Sequence, residues 1–134
     1  MCLLNIEPSK RKTIIGYKVV AKRNGRYYTP FTNNIIRTGK PGKPKISYDL
    51  RISVDNQEHV NKWSAVRTLN EAIRFIHDDM WGKHDKTYDS VLVILKIKFS
   101  GGILMGKQGI SFDAFLANEI ISYKEVWGVN HDTL

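Results

Sequence analysis

The spacing of apolar and polar positions changes along the chain, and each change marks an element. Residues 13–22 are rich in β-branched and aromatic side chains and read as a strand. Asn24-Gly25 follows, a pair suited to a two-residue type I′ hairpin because both of its positions take positive φ. Residues 26–31 read as the returning strand, which sets Arg23 opposite Arg26. Two like charges so placed repel unless something neutralises them. The clearest alternation lies at 46–54. There Ile46, Tyr48, Leu50, Ile52 and Val54 share one face, and Ser47, Asp49, Arg51 and Ser53 the other. One apolar and one wet face is what an antiparallel sheet produces.

The period becomes helical at residue 68. Thr68-Leu69-Asn70-Glu71 has the form of a capping box and predicts a helix to about Trp81, stopped by Gly82. Leu69, Ala72, Ile73, Ile76 and Met80 form its apolar stripe, with Arg74 and Asp78 able to pair outside. Residues 90–99 are nearly continuous in apolar side chains and predict a central strand covered on both faces. Gly101-Gly102 turns the chain, 103–105 is a candidate short strand, 111–118 a candidate short helix with Asp113 near its start, and 119–127 a closing strand. The expected fold is α+β: a single, mostly antiparallel sheet of about five or six strands, one main amphipathic helix and a second short helix packed on it. With 134 residues the chain has room for one domain. It divides into a basic N-terminal arm (1–12), an α+β core (13–127) and a tail (128–134).

Composition narrows the chemistry. Cys2 is the only cysteine, so neither an intramolecular disulfide nor a cysteine-built zinc site can form. No apolar run reaches the roughly 18–20 residues that span a bilayer. The apolar start at 1–6 is short for a signal sequence, and its basic residues follow it instead of preceding it. The expected setting is the cytosol, in a bacterium, a virus-infected cell or a virion, neither secreted nor in a membrane.

The strongest compositional signal is the placement of charge. Residues 1–51 hold twelve Lys and Arg against two acids, a net of +10; residues 52–134 hold nine against eleven, a net of −2, which together give the chain's +8. Such a gradient costs some self-repulsion, and an anionic partner is the simplest reason for it. The candidate anion- or nucleic-acid-binding residues are Lys18, Lys22, Arg23, Arg26, Tyr28, Arg37, Lys40, Lys43, Lys45 and Arg51. Lys and Arg neutralise phosphates, and interleaved aromatics can stack bases. The competing reading, in which Tyr and Phe fill the core while the cations solvate the outer face, explains the aromatics but not the charge excess.

Other motifs carry less. Residues 101–107, G-G-I-L-M-G-K, fit the G-x-x-x-x-G-K pattern of a phosphate-binding loop. Gln108 stands where a Mg²⁺-binding hydroxyl belongs, and Ile103-Leu104-Met105 is strand-like, so a turn plus a short strand is the better reading. None of His59, His77, His84 and His131 is spaced to share a metal with another. His59, between strand and helix, is with Tyr17 a candidate pocket residue. No nucleophile-elbow sequence is present. No catalytic residue, metal or cofactor is assigned.

Several short segments carry a resemblance: Met1-Cys2-Leu3, Gly16-Tyr17-Lys18-Val19, Tyr28-Thr29-Pro30-Phe31, Thr68-Leu69-Asn70-Glu71-Ala72, the strand at 92–99 ending in Gly101-Gly102, and the strand at 119–127. Through them the chain resembles a loose group of small uncharacterised bacteriophage and prophage proteins. Many of that group carry a Gly-aromatic-His unit before the helix, where this chain has only Glu58-His59-Val60. The resemblance implies context and no activity. The leading expectation is a small basic phage-type binding protein that contacts an anion, nucleic acid first, without catalysis. The alternatives are an inhibitor of a host defence system, by sequestering a nucleotide signal or blocking a host defence protein, and a virion structural protein. Homo-oligomers fit each of these.

Overall fold

The structure is a computed structural model and describes residues 3–29, 34–41, 62–77, 91–108 and 112–128. These form strands β1 (Leu3–Pro8), β2 (Thr13–Arg23), β3 (Arg26–Tyr28), β4 (Trp63–Val66), β5 (Val91–Ser100), β6 (Leu104–Gln108), β7 (Phe112–Ala117) and β8 (Glu119–Gly128), with helix α1 (Leu69–Phe75) between β4 and β5. All eight strands belong to one antiparallel sheet in the order β1-β6-β7-β4-β2-β5-β8, with β3 paired to β2 off this path. The α+β expectation holds broadly, but the sheet is larger than about five or six strands.

Three strands, β1, β4 and β7, are not among those expected. The N-terminal arm contributes β1, which pairs with β6 across an irregularity between Leu4 and Glu7. The segment W-S-A-V at 63–66, too short to show a period, forms β4. The predicted second helix is also corrected: 112–117 is strand β7, paired with β4 on one side and β6 on the other. Ala114, Phe115, Leu116 and Ala117 are all buried, alternating between two cores, so pairing and burial on both faces override the helix preference of Ala and Leu. The main helix starts as predicted. Thr68 caps it by accepting from the Glu71 N–H at 3.1 Å, and its hydroxyl donates to Glu71 Oε1 at 3.0 Å. Its α-helical part ends at Phe75, the chain widens into a π-type turn at Ile76 and His77, and Phe75 joins the buried side, while the predicted end at Trp81 and Gly82 lies outside the described residues. The 46–54 strand, Met80 and Asp78 lie outside the described residues.

The Asn24-Gly25 turn forms as expected, with φ of 51° and 75°, and places Arg23 against Arg26. β2 and β5 pair along ten consecutive positions, from Thr13 opposite Ser100 to Lys22 opposite Val91. Their alternation separates two faces. Ile14, Val20, Val93, Leu95, Ile97 and Phe99 point into a core shared with Trp63, Phe115 and Ile120. There Phe99 meets Phe115 edge-on at 5.1 Å between ring centres. The sheet curls back on itself at Gly16, where Phe115 packs against a position that has no side chain. On the opposite face Val19, Leu92 and Ile94 pack under Ala72, Phe75 and Ile76 of α1.

Among the described residues that second face is covered only at one end. Along β5, Leu92 and Ile94 are buried, Lys96 is half-buried and Lys98 is exposed. Along β2, Val19 is buried, Tyr17 half-buried and Ile15 43% exposed. The prediction of a strand covered on both faces therefore holds for only half of β5.

Candidate anion-binding surface

The hairpin end of β2 and β3 gathers several of the predicted residues. Arg23 stacks over the Tyr28 ring with its guanidinium carbon 4.3 Å from the ring centre, and Arg26 opposite is exposed. After β3 the chain runs alongside it, with the Ile36 N–H donating to the Tyr27 carbonyl, then crosses to β8, where Gly39 and Ile120 exchange two backbone hydrogen bonds. This segment exposes Arg37 and Lys40. The Trp63 indole N–H donates to the Gly39 carbonyl at 3.0 Å, which anchors the crossing to the core.

Lys22 is placed there too, but its charge is taken. Its ammonium lies 3.1 Å from Glu125 Oε1 of β8. The hydrogen bond and charge of Glu125 raise its pKa above the ordinary 10.5. The Tyr27 hydroxyl donates to the same carboxylate at 3.3 Å, and the Tyr27 ring meets Tyr123 edge-on at 6.0 Å. Burial, and then the Glu125 charge, raise the Tyr27 pKa, so it stays a neutral donor.

Lys18 does not share this surface. It is 8% exposed and points into the curled side of the sheet. β2 pairs with β4 only at Tyr17–Val66 and with β3 only from Ala21 onward, so among the described residues its edge on that side lacks a strand neighbour between them. Continuing the antiparallel register would set Ser64 opposite Val19, but no pair forms. The Lys18 ammonium instead donates to the Ser64 carbonyl at 2.7 Å and the Ser64 hydroxyl at 3.2 Å. Burial lowers its pKa from 10.5 to about 8. A buried ammonium here satisfies a carbonyl that the splayed strands leave without a ladder partner. Tyr17 lies on the helix-side face, away from the hairpin cations. Lys43, Lys45, Arg51 and His59 lie outside the described residues.

Residues 101–107 form a turn at Gly101 and Gly102, with φ of 78° and 53°, followed by strand β6. Lys107 pairs with Asp113 at 3.1 Å. A strand where a phosphate loop needs a helix start leaves no N-terminal dipole to meet an anion. Among the described residues no group of three His, Cys, Asp or Glu could hold a metal, and no helix is long and apolar enough to cross a membrane.

Sequence reading missed a second set of cations. Lys96 of β5 stands opposite Lys124 of β8, and Lys98 opposite Ser122, all on the helix-side face beyond α1. Tyr17 and Ile15 of β2 flank Lys96 and Lys98 on the other side. The alternation Leu95-Lys96-Ile97-Lys98-Phe99 was the available signal, since it sends both lysines to one face. The chain matches no protein-family model, no curated protein and no solved structure.

Proposed function

We propose that this protein is a non-enzymatic binding protein whose partner is a polyanion, with nucleic acid the best fit, held mainly through phosphate contacts. One observation supports this reading above others: exposed Lys10, Arg11, Lys12, Arg26, Arg37 and Lys40 have no ion-pair partner among the described residues. These unpaired charges stand in a protein of net charge +8. Binding of this type is salt-sensitive and weakly sequence-specific. The test is fluorescence anisotropy of labelled oligonucleotides across a salt series. Replacing Arg37 or Lys40 by Gln is expected to weaken binding equally for all sequences and to reduce the salt slope by about one. Affinity that does not change between low and high salt refutes the reading.

A second reading, a subunit of an assembly, draws on Ile121, Tyr123 and Val126, which are exposed on β8 at the end of the strand order. An outer strand with apolar side chains is a template for pairing between chains. Light-scattering mass that stays monomeric at high protein concentration refutes it.

A further inference from the structure

We infer that the uncovered end of the helix-side sheet face, built from Tyr17, Ile15, Lys96, Lys98 and Lys124, is a platform for single-stranded nucleic acid. This rests on the polyanion-binding reading and moves its main contact away from the basic N-terminal half. Three strands distant in sequence supply the platform in two adjacent rows. One row is Tyr17–Lys96–Lys124, and the next is Ile15–Lys98–Ser122. Opposite residues on neighbouring strands lie about 5 Å apart. Lys96 and Lys98 are separated by two residues of extended chain, roughly 7 Å.

Three lysines held this closely repel one another, and Lys96 directly faces Lys124. No carboxylate forms an ion pair with any of the three among the described residues. The one acid on this face in the next row is Glu119, opposite Ser100. Glu125 points to the other side of the sheet, where Lys22 and Tyr27 occupy it. More positive charge stands at the end of the platform: the Lys12 carbonyl accepts from the Gly101 N–H, placing exposed Lys10, Arg11 and Lys12 beside the β5 terminus. The repulsion is relieved by a chain of phosphates crossing the rows.

The occupant is a single strand because of what lies between the charges. Ile15, 43% exposed, and half-buried Tyr17 give apolar surface beside the lysines. Unpaired bases can lie against such surface, whereas a duplex keeps its bases stacked inside. Among the described residues the one helix, α1, has seven residues and covers the other end of this face, so it does not project from the platform into a groove.

The test compares two triple variants of the full chain, K96Q/K98Q/K124Q and R26Q/R37Q/K40Q, by anisotropy with labelled oligo(dT), oligo(U) and a duplex over a salt series. Tryptophan fluorescence confirms that both fold. In parallel, lysine acetylation of the wild type with and without oligo(dT), read by mass spectrometry, reports contact without mutation. The platform variant is expected to lose affinity and to lower the single-strand salt slope by about 2, near 0.7 for each lysine. Protection is expected to be stronger at Lys96, Lys98 and Lys124 than at Lys40. If instead the hairpin variant loses binding and the platform variant keeps it, the platform is refuted while the polyanion reading stands. A duplex that binds as tightly as the single strand refutes the single-strand assignment. No binding of any nucleic acid at low salt refutes both.

Discussion

Replacing Lys18 by Met tests how the sheet is closed at its weakest seam. Lys18 is buried where β2 pairs with β5 but has no described strand neighbour on its β4 side, and its ammonium donates to the Ser64 carbonyl and hydroxyl. Burial lowers its pKa from 10.5 to about 8. The unfolded chain therefore holds this proton more tightly than the folded one. Where the unfolded state binds more protons, stability rises with pH. The penalty for burying the charge is fully present below about pH 8 and fades as the pH rises towards 10.5. At about 1.36 kcal/mol per pH unit, the difference between 10.5 and about 8 is roughly 3 kcal/mol.

Methionine removes that penalty and also removes the donor to Ser64. A buried carbonyl left without a partner costs about 1–3 kcal/mol. The two effects nearly cancel at neutral pH, so Lys18→Met is expected to match the wild type there within about 2 kcal/mol. They do not cancel at alkaline pH, where a neutral amine in the wild type still donates to Ser64 without the charge penalty. Urea unfolding followed by tryptophan fluorescence at intervals from pH 7 to 10 reads both chains, and Trp63, 3% exposed, reports the adjacent core. The wild type is expected to gain roughly 2–3 kcal/mol relative to the variant over this range. Subtracting the variant removes contributions from Tyr27 and Lys22, whose raised pKa values act in the opposite direction at still higher pH. A difference between the two chains that is constant with pH refutes the assignment.

Four further outcomes follow from the structure. Gly16→Ala places a Cβ 2.6 Å from Phe115 Cε1, closer still to Cζ, and 3.0 Å from the Val66 carbonyl oxygen, so a loss of about 1–3 kcal/mol is expected in denaturant unfolding, with partial rescue by Phe115→Leu. Thr68→Ala removes the helix cap and is expected to cost about 1 kcal/mol. Glu71→Ala made in the Thr68→Ala background should cost further stability, because Glu71 Oε2 also accepts from the Asp113 N–H of β7 at 2.8 Å; no further loss in that background would show that this tie carries nothing. Glu125→Gln removes the charge that helps to raise the Tyr27 pKa, so ultraviolet titration of the variant should show that tyrosine ionising at lower pH than in the wild type.

Local signals in the chain were read well where a single residue type settles the backbone. Asn24-Gly25 makes the predicted turn because both residues adopt positive φ, and Thr68 with Glu71 makes the predicted cap because the side chains meet the first free N–H groups. Elements decided by distant partners were harder to see. β4 has four residues, and its existence depends on pairing with β7 from residue 114 to 117. β7 in turn reads as helix because Ala and Leu favour one, and only its position between β4 and β6 makes it a strand. β1 sits in the arm because β6 offers it an edge. In each case the deciding interaction is non-local, and no window of sequence contains it.

The same limit governs the candidate site, because a charge total over a segment does not say which of its side chains are already engaged. The first 51 residues carry the excess, but two of their best candidates are already used: Lys18 supplies a buried hydrogen bond and Lys22 is neutralised by Glu125. Residues 52–134 sum to −2, yet the strand order β2-β5-β8 collects Lys96, Lys98 and Lys124 on one face while turning Glu125 to the other. Net charge sets how strongly a polyanion is drawn to the molecule from a distance. Contact depends on which cations lack an internal partner and stand in neighbouring rows, and sheet order and register decide that. An anion attracted by the basic half can therefore come to rest on lysines from the half that carries a negative sum.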